Sequence, residues 1–253
     1  MSTPNTVSAM IREPQLAGQT VVVIGGSSGI GLETARRARA EGAAVVLTGR
    51  NPERLQQAAL EVDALSSAAF DATDFDGLKQ FFDELLSPVD HVMITAGGPY
   101  YARLTDIDFE RARRTVEQHL LLPLHVARNA AARVRPGGTL LFMSGIGGRR
   151  PAAGMAVISA LTAALPALAK VLALELAPVR VNVIAPGFVD TPLSATLLAD
   201  RLDERREQLR RTLPIGRVVG PADVAALAVH LMTNTAVTGA TYDIDGGQQV
   251  VGG

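Results

Sequence analysis

The sequence has no cysteine. Disulfides, thiolate nucleophiles and thiolate metal sites are therefore excluded, and no metal is expected. Lysine occurs only at Lys79 and Lys170, so arginine carries almost all of the basic charge. Neither sign of charge is in excess: the formal net charge is −1, and no charged block suggests a nucleic acid or an anionic membrane as partner. No apolar run is long enough to span a bilayer without charged residues or Gly/Pro breaks, and the opening "MSTPNTVSAMIREPQLAGQT" lacks the apolar core of a signal peptide. A soluble cytoplasmic protein is the expectation.

What the chain does hold is 253 residues, 47% of them hydrophobic, enough for one large core. Short β-branched runs such as "TVVVIG", "AAVVLTG", "HVMITAG", "TLLFMSG" and "VRVNVIAPG" alternate with longer helical patterns. Continuous apolar strands are what a parallel sheet covered on both faces requires. The expected fold is α/β, a single doubly wound parallel sheet of about seven strands with helices on both faces. Residues 1–18 read as an N-terminal extension and 19–253 as one domain. The long "FERARRTVEQHLLLPLHVARNAAARV" reads as one helix, and residues 191–214 as an insertion able to act as a substrate flap.

The first strand runs into "GGSSGIGLETARRA", with Gly25, Gly29 and Gly31 where the chain must turn tightly and open a helix. Glycine lets the backbone approach a pyrophosphate, and the helix N-terminus offers it free N–H groups. At the end of the second strand, where an acid would bind the ribose 2′-hydroxyl of NAD, stands Arg50 of "TGRNPER". A cation there suits the 2′-phosphate of NADP(H). Ser27, Ser28 and Asn51 are candidate co-ligands of phosphate; the alternative for Arg50 is a solvated loop arginine.

From Gln19 to about Val250 the chain resembles a classical short-chain dehydrogenase/reductase. "VVVIGGSSGIG" is similar to that family's glycine motif, "FDATD" to its adenine loop, "ITAGG" to its Asn-Asn-Ala-Gly motif and "VNVIAPGFVDTPL" to its nicotinamide loop. The resemblance implies that the cofactor meets Gly25, Ser27, Ser28, Gly29, Ile30 and Gly31 at the first turn. It further implies Asp71 and Ala72 at the adenine, Ala96, Gly97 and Gly98 near the ribose, and Pro186, Gly187, Val189 and Thr191 at the nicotinamide.

The same alignment implies a departure. The family's tyrosine falls on Ile158, its lysine on Thr162, its serine on Gly145, and its asparagine near His119. Ile158 and Thr162 share one helix face, so the expected site keeps its shape and loses its acid. Ser144 and Ser159 are expected to point elsewhere. Substitute donors are His119, Tyr100 and Tyr101; the alternative for the tyrosines is a pair lining an apolar pocket. His91, His125 and His230 read as structural. Two function classes follow: an NADPH-dependent oxidoreductase acting on a small C=O or C=N substrate with a non-standard proton source, or a non-catalytic NADP(H)-binding sensor or scaffold. A protonated imine suits the first, because the pocket is expected to hold no lysine. The helix "ALTAALPALAKVLALELA", apolar nearly all round, implies a homodimer or homotetramer.

Overall fold

The computed structural model describes residues 15–251. Its first half alternates β1 (Thr20–Ile24), α1 (Gly29–Ala40), β2 (Ala44–Gly49), α2 (Pro52–Glu61), β3 (Ser66–Ala69), α3 (Phe75–Asp83) and β4 (Val89–Ile94). The second holds α4 (Phe109–Val116), α5 (Leu122–Ala130), β5 (Val134–Met143), α6 (Ala156–Glu175), β6 (Arg180–Pro186), α7 (Pro192–Leu198), α8 (Leu202–Thr212), α9 (Pro221–Thr233) and β7 (Thr241–Ile244).

The strands form one seven-stranded sheet in the order β3-β2-β1-β4-β5-β6-β7, with every adjacent pair parallel. Parallel neighbours need crossovers, and helices supply them on both faces. Alternation along β1 divides the two cores. Val22 and Ile24 pack with Phe82 of α3, Val126 of α5 and Leu165 of α6. Val21 and Val23 pack with Ala35 of α1, Leu55 of α2 and Val224 of α9. This is the doubly wound α/β fold expected from the strand pattern. The order reverses between β1 and β4, and there the carboxyl ends of the strands open a crevice.

Three local features differ from expectation, at Leu16, at Pro123 and in α6. Leu16, assigned to the extension, is fully buried beneath the second core, and its N–H donates to the Glu41 carbonyl at 2.9 Å; residues 1–14 of that extension lie outside the described residues. The expected single helix over 109–134 is α4, a π-helical turn over Glu117–Leu121, and α5. Pro123 has no N–H for the His119 carbonyl, so α-helical bonding cannot run through this point. β3 is a short, largely exposed edge strand of Ser and Ala, since it has β2 alone for a neighbour. By length and composition α6 does pass the test for a membrane span. It is nonetheless packed on the sheet through Leu165, Ala169 and Leu172.

At the amino ends of the strands lies a buried polar chain. Arg180 donates to Thr139 Oγ1 at 2.8 Å, Thr139 faces His91 Nδ1 at 3.0 Å, and His91 Nε2 meets Gln19 Oε1 at 2.6 Å. Burial pushes the His91 pKa down to about 4, so the imidazole stays neutral and structural.

Candidate functional site

Along the carboxyl ends of β1, β2, β4, β5 and β6 runs a cleft of about 910 Å³. Its floor at one end is the β1–α1 turn. Gly25 and Gly29 have φ of +95° and +55°, conformations that side chains oppose. A Cβ on Gly31 would lie 2.4 Å from the Gly25 carbonyl oxygen and 2.5 Å from Thr95 Oγ1. Thr95 in turn donates to Gly25 O at 3.0 Å, tying the end of β4 beneath the turn. Ser28, the N-cap of α1, makes no side-chain capping bond, so its hydroxyl does not compete for the first-turn N–H groups. Gly25, Ser27, Ser28, Gly29, Ile30 and Gly31 all line the cleft. The bare backbone at the helix start fits an anionic diphosphate.

Past Gly49, Arg50 and Asp71 face each other across the same end, Nη1 to Oδ2 being 4.0 Å. Partial burial works against ionisation of Asp71. Hydrogen bonds from the Thr73 N–H and hydroxyl, with the Arg50 and Arg114 charges, outweigh it and hold the carboxyl below its ordinary value. Arg50 is 67% exposed, so its guanidinium is free to turn toward a ligand. Asn51 does not line the cleft. Its Oδ1 accepts the Arg54 N–H at 2.8 Å as the N-cap of α2. Arg54 lines the cleft instead.

The cleft continues past Ala72, Ala96, Gly97 and Gly98 to the loop carrying Pro186, Gly187, Val189 and Thr191. That loop is held at several points. Thr191 and Ser194 form a capping box at the start of α7, Val189 bridges to Val219, and the Phe188 N–H donates to Gln248 Oε1 at 2.9 Å. Here the wall is Gly145, Ile158 and Thr162. Ile158 is buried, and the Thr162 hydroxyl donates back to the Ile158 and Ser159 carbonyls at 2.9 and 3.1 Å. Ser144, expected to face away, also borders the cleft, with its Oγ directed at the Thr162 carbonyl at 3.3 Å. Ser159 does not line it.

The three substitute donors separate. Tyr100 is buried outside the cleft, accepts the Asp108 N–H at 2.8 Å and carries Arg111 over its ring. Tyr101 lines the cleft and is 54% exposed; partial burial of its phenol raises its pKa, which makes it a weaker acid than a free tyrosine. His119 lines it too, but burial lowers its pKa despite the Gly98 carbonyl, 3.1 Å from Nε2, to which the neutral ring donates. The cleft holds no lysine, yet it does hold a cation at this end, Arg205, brought in from α8. No periodicity in "LDERREQLRRT" marks this arginine, because α8 is polar apart from Leu202 and the buried Leu209. Among the described residues no His, Asp and Glu cluster could hold a metal ion.

A family model described as enoyl-(acyl carrier protein) reductase matches residues 24–249. The short-chain dehydrogenase/reductase ATR9 of Stachybotrys chlorohalonatus is 31% identical over 249 residues, spanning 92% of this chain and 98% of its own. The NADP-dependent (R)-specific alcohol dehydrogenase of Lentilactobacillus kefiri is 31% identical over 92% of this chain and 97% of its own. Among solved structures, a small-chain dehydrogenase in complex with NADPH superposes with a TM-score of 0.79 at 28% identity, covering 92% of this chain and 99% of its own. The chain belongs to the classical short-chain dehydrogenase/reductase family.

Arg50, with Arg54, borders the end of the cleft past β2, where a cation suits the 2′-phosphate of NADP(H). Arg50→Ala is expected to cut the NADPH-over-NADH affinity ratio by roughly tenfold or more, the worth of a charge-assisted hydrogen bond. Titration of both nucleotides into wild type and variant checks this, and an unchanged ratio contradicts the assignment.

Proposed function

We propose that this chain is an NADP(H)-dependent oxidoreductase that passes hydride to a small C=O or C=N substrate and draws the accompanying proton from a group other than the family's tyrosine. The observation that carries the reading is the continuity of the cleft. A glycine-lined turn with Arg50 at one end runs unbroken into the Pro186–Thr191 loop at the other. A binder of adenine nucleotides alone has no use for the second end.

Bound NADPH supplies the hydride. The chain's own residues hold and orient it: the β1–α1 turn cradles the diphosphate, Arg50 meets the 2′-phosphate, Asp71 the adenine edge, and the Pro186–Thr191 loop the nicotinamide. Residues 191–214 act as the substrate flap, for Leu193, Thr196, Leu197, Leu198 and Arg205 all border the cleft.

The positions that the family gives to tyrosine, lysine and serine are Ile158, Thr162 and Gly145. Isoleucine has no proton to give, and the Thr162 hydroxyl is committed to its own helix. Of the substitute donors Tyr101 is retained, because it borders the cleft, whereas Tyr100 lies outside it and the His119 Nε2–H is held by the Gly98 carbonyl. A protonated imine accepts hydride with no donor at all. The second reading, a non-catalytic NADP(H)-binding sensor or scaffold, is favoured by the same missing acid at Ile158.

We also propose self-association through α6. Its Ala167, Val171 and Leu174 face outward, and Leu121 and Leu124 are exposed on the neighbouring π-turn and α5. A helix apolar on nearly every side needs cover on each. Light scattering at micromolar concentration is expected to give a dimer or tetramer, and a monomer contradicts it.

The catalytic reading is checked by NADPH oxidation against a ketone, an enone and a cyclic imine. Wild type is expected to turn over at least one of them. Tyr101→Phe should slow ketone turnover by roughly 10²–10⁴-fold and spare the imine. Ile158→Tyr with Thr162→Lys should lower native turnover by placing an ammonium in an apolar wall. A wild type that binds NADPH yet oxidises it with nothing, while the double variant gains ketone reduction, hands the chain to the second reading.

A further inference from the structure

The charges on α8 are paired except at Glu204 and Arg205, which have no ion-pair partner among the described residues. Arg206 holds Asp190 and Asp203, while Arg210 and Arg211 share Glu207. Arg205 has no carboxylate partner among the described residues; its Nη1 donates to the neutral Gln208 Oε1 at 2.7 Å. It is also the arginine of α8 that borders the cleft. A guanidinium half removed from water normally acquires an anion, since five N–H donors must be satisfied and the charge is costly to desolvate.

Its surroundings sharpen the point. The Arg205 guanidinium lies 5.9 Å from the centre of the Phe188 ring, in the loop assigned to the nicotinamide. That contact steadies the planar fork at this end of the cleft. Arg150, whose Nη1 donates to the Gln248 carbonyl, lies near enough to repel it, and this repulsion adds to burial in lowering the Arg205 pKa. Asp71 is the sole carboxylate among the described residues that line the cleft, and it sits at the Arg50 end. The Phe188 end thus presents one unpaired cation, an aromatic face and the aliphatic wall of Ile158 and Met155.

We propose that Arg205 is a specificity-determining residue that binds a carboxylate on the substrate, so that the natural substrate is an anionic oxo or imino acid with an apolar body. This rests on the reading of the cleft as a hydride-transfer site. A fork-to-fork pair between guanidinium and carboxylate orients such a substrate while its apolar part fills the wall beside Ile158. A free cation is disfavoured there, and an imine enters most readily when it carries its own carboxylate.

The test uses binding, so that it does not depend on turnover. With the protein saturated by NADP⁺, phenylacetate and benzoylformate are titrated calorimetrically, each against its amide, into wild type, Arg205→Gln and Arg205→Lys. Wild type is expected to prefer each carboxylate by roughly tenfold or more. Arg205→Gln should erase the preference and Arg205→Lys keep part of it, with NADP⁺ affinity equal in all three. Equal binding of acid and amide by wild type, or a preference that survives Arg205→Gln, overturns the proposal. A fall in NADP⁺ affinity that accompanies Arg205→Gln also overturns it, by assigning the charge to the cofactor. If NADP⁺ does not bind at all, the oxidoreductase reading fails, and the same titrations without nucleotide still decide whether Arg205 recognises carboxylates.

Discussion

Thr95 Oγ1 donates to the Gly25 carbonyl at 3.0 Å, and Gly31 passes so close beneath that a Cβ there would stand 2.4 Å from the same oxygen. The turn from the end of β1 to the start of α1 meets the end of β4, about seventy residues away in sequence, at this point. It coincides with the place where strand order reverses. The contact brings the first-turn N–H groups of α1 to the mouth of the sheet with no side chain in front of them. Everything further along the cleft takes its position from here. Arg50 lies at the end of β2 on one side, and the walls from β5 and β6 lie on the other.

The two ends of the cleft follow different chemical logic. The Arg50 end is built from backbone and exposed charge, which suits a large anionic cofactor in contact with water. The other end is aliphatic at Ile158, committed at Thr162 and bare at Gly145. In the proposed mechanism proton transfer there falls to Tyr101 or to the substrate, and orientation to Arg205. In that reading recognition rests on a remote charge rather than on the reacting oxygen, and the binding energy of that charge positions the reacting carbon.

Much of this was legible before any coordinates. The sheet could be read because β-branched runs bounded by glycine have few alternatives in an alternating chain, and the turn because three glycines at that spacing follow a strand. Positions set by tertiary contact were not legible. Tyr100 and Tyr101 are adjacent, yet one is buried against Asp108 and the other faces the cleft. Nothing in "PYYA" decides which. Asn51 has the chemistry of a phosphate ligand and of a helix cap, and the Pro52 that follows it favours the cap. Arg205 could not be distinguished from its neighbours because ion pairing on a polar helix depends on what lies opposite. Leu16 was assigned to an extension since one apolar residue carries no period.

The central claim is that one dinucleotide spans this cleft from the β1–α1 turn to the Pro186–Thr191 loop. Hydrogen–deuterium exchange of the wild-type protein with and without NADPH tests it most directly. Protection is expected in residues 25–31, 48–50, 71–73, 95–98 and 186–194, with the amino ends of the strands around Gln19, His91 and Arg180 unchanged. Protection confined to residues 25–31 and 48–73, with none at 186–194, would contradict it, because the nucleotide would then occupy the adenosine end alone.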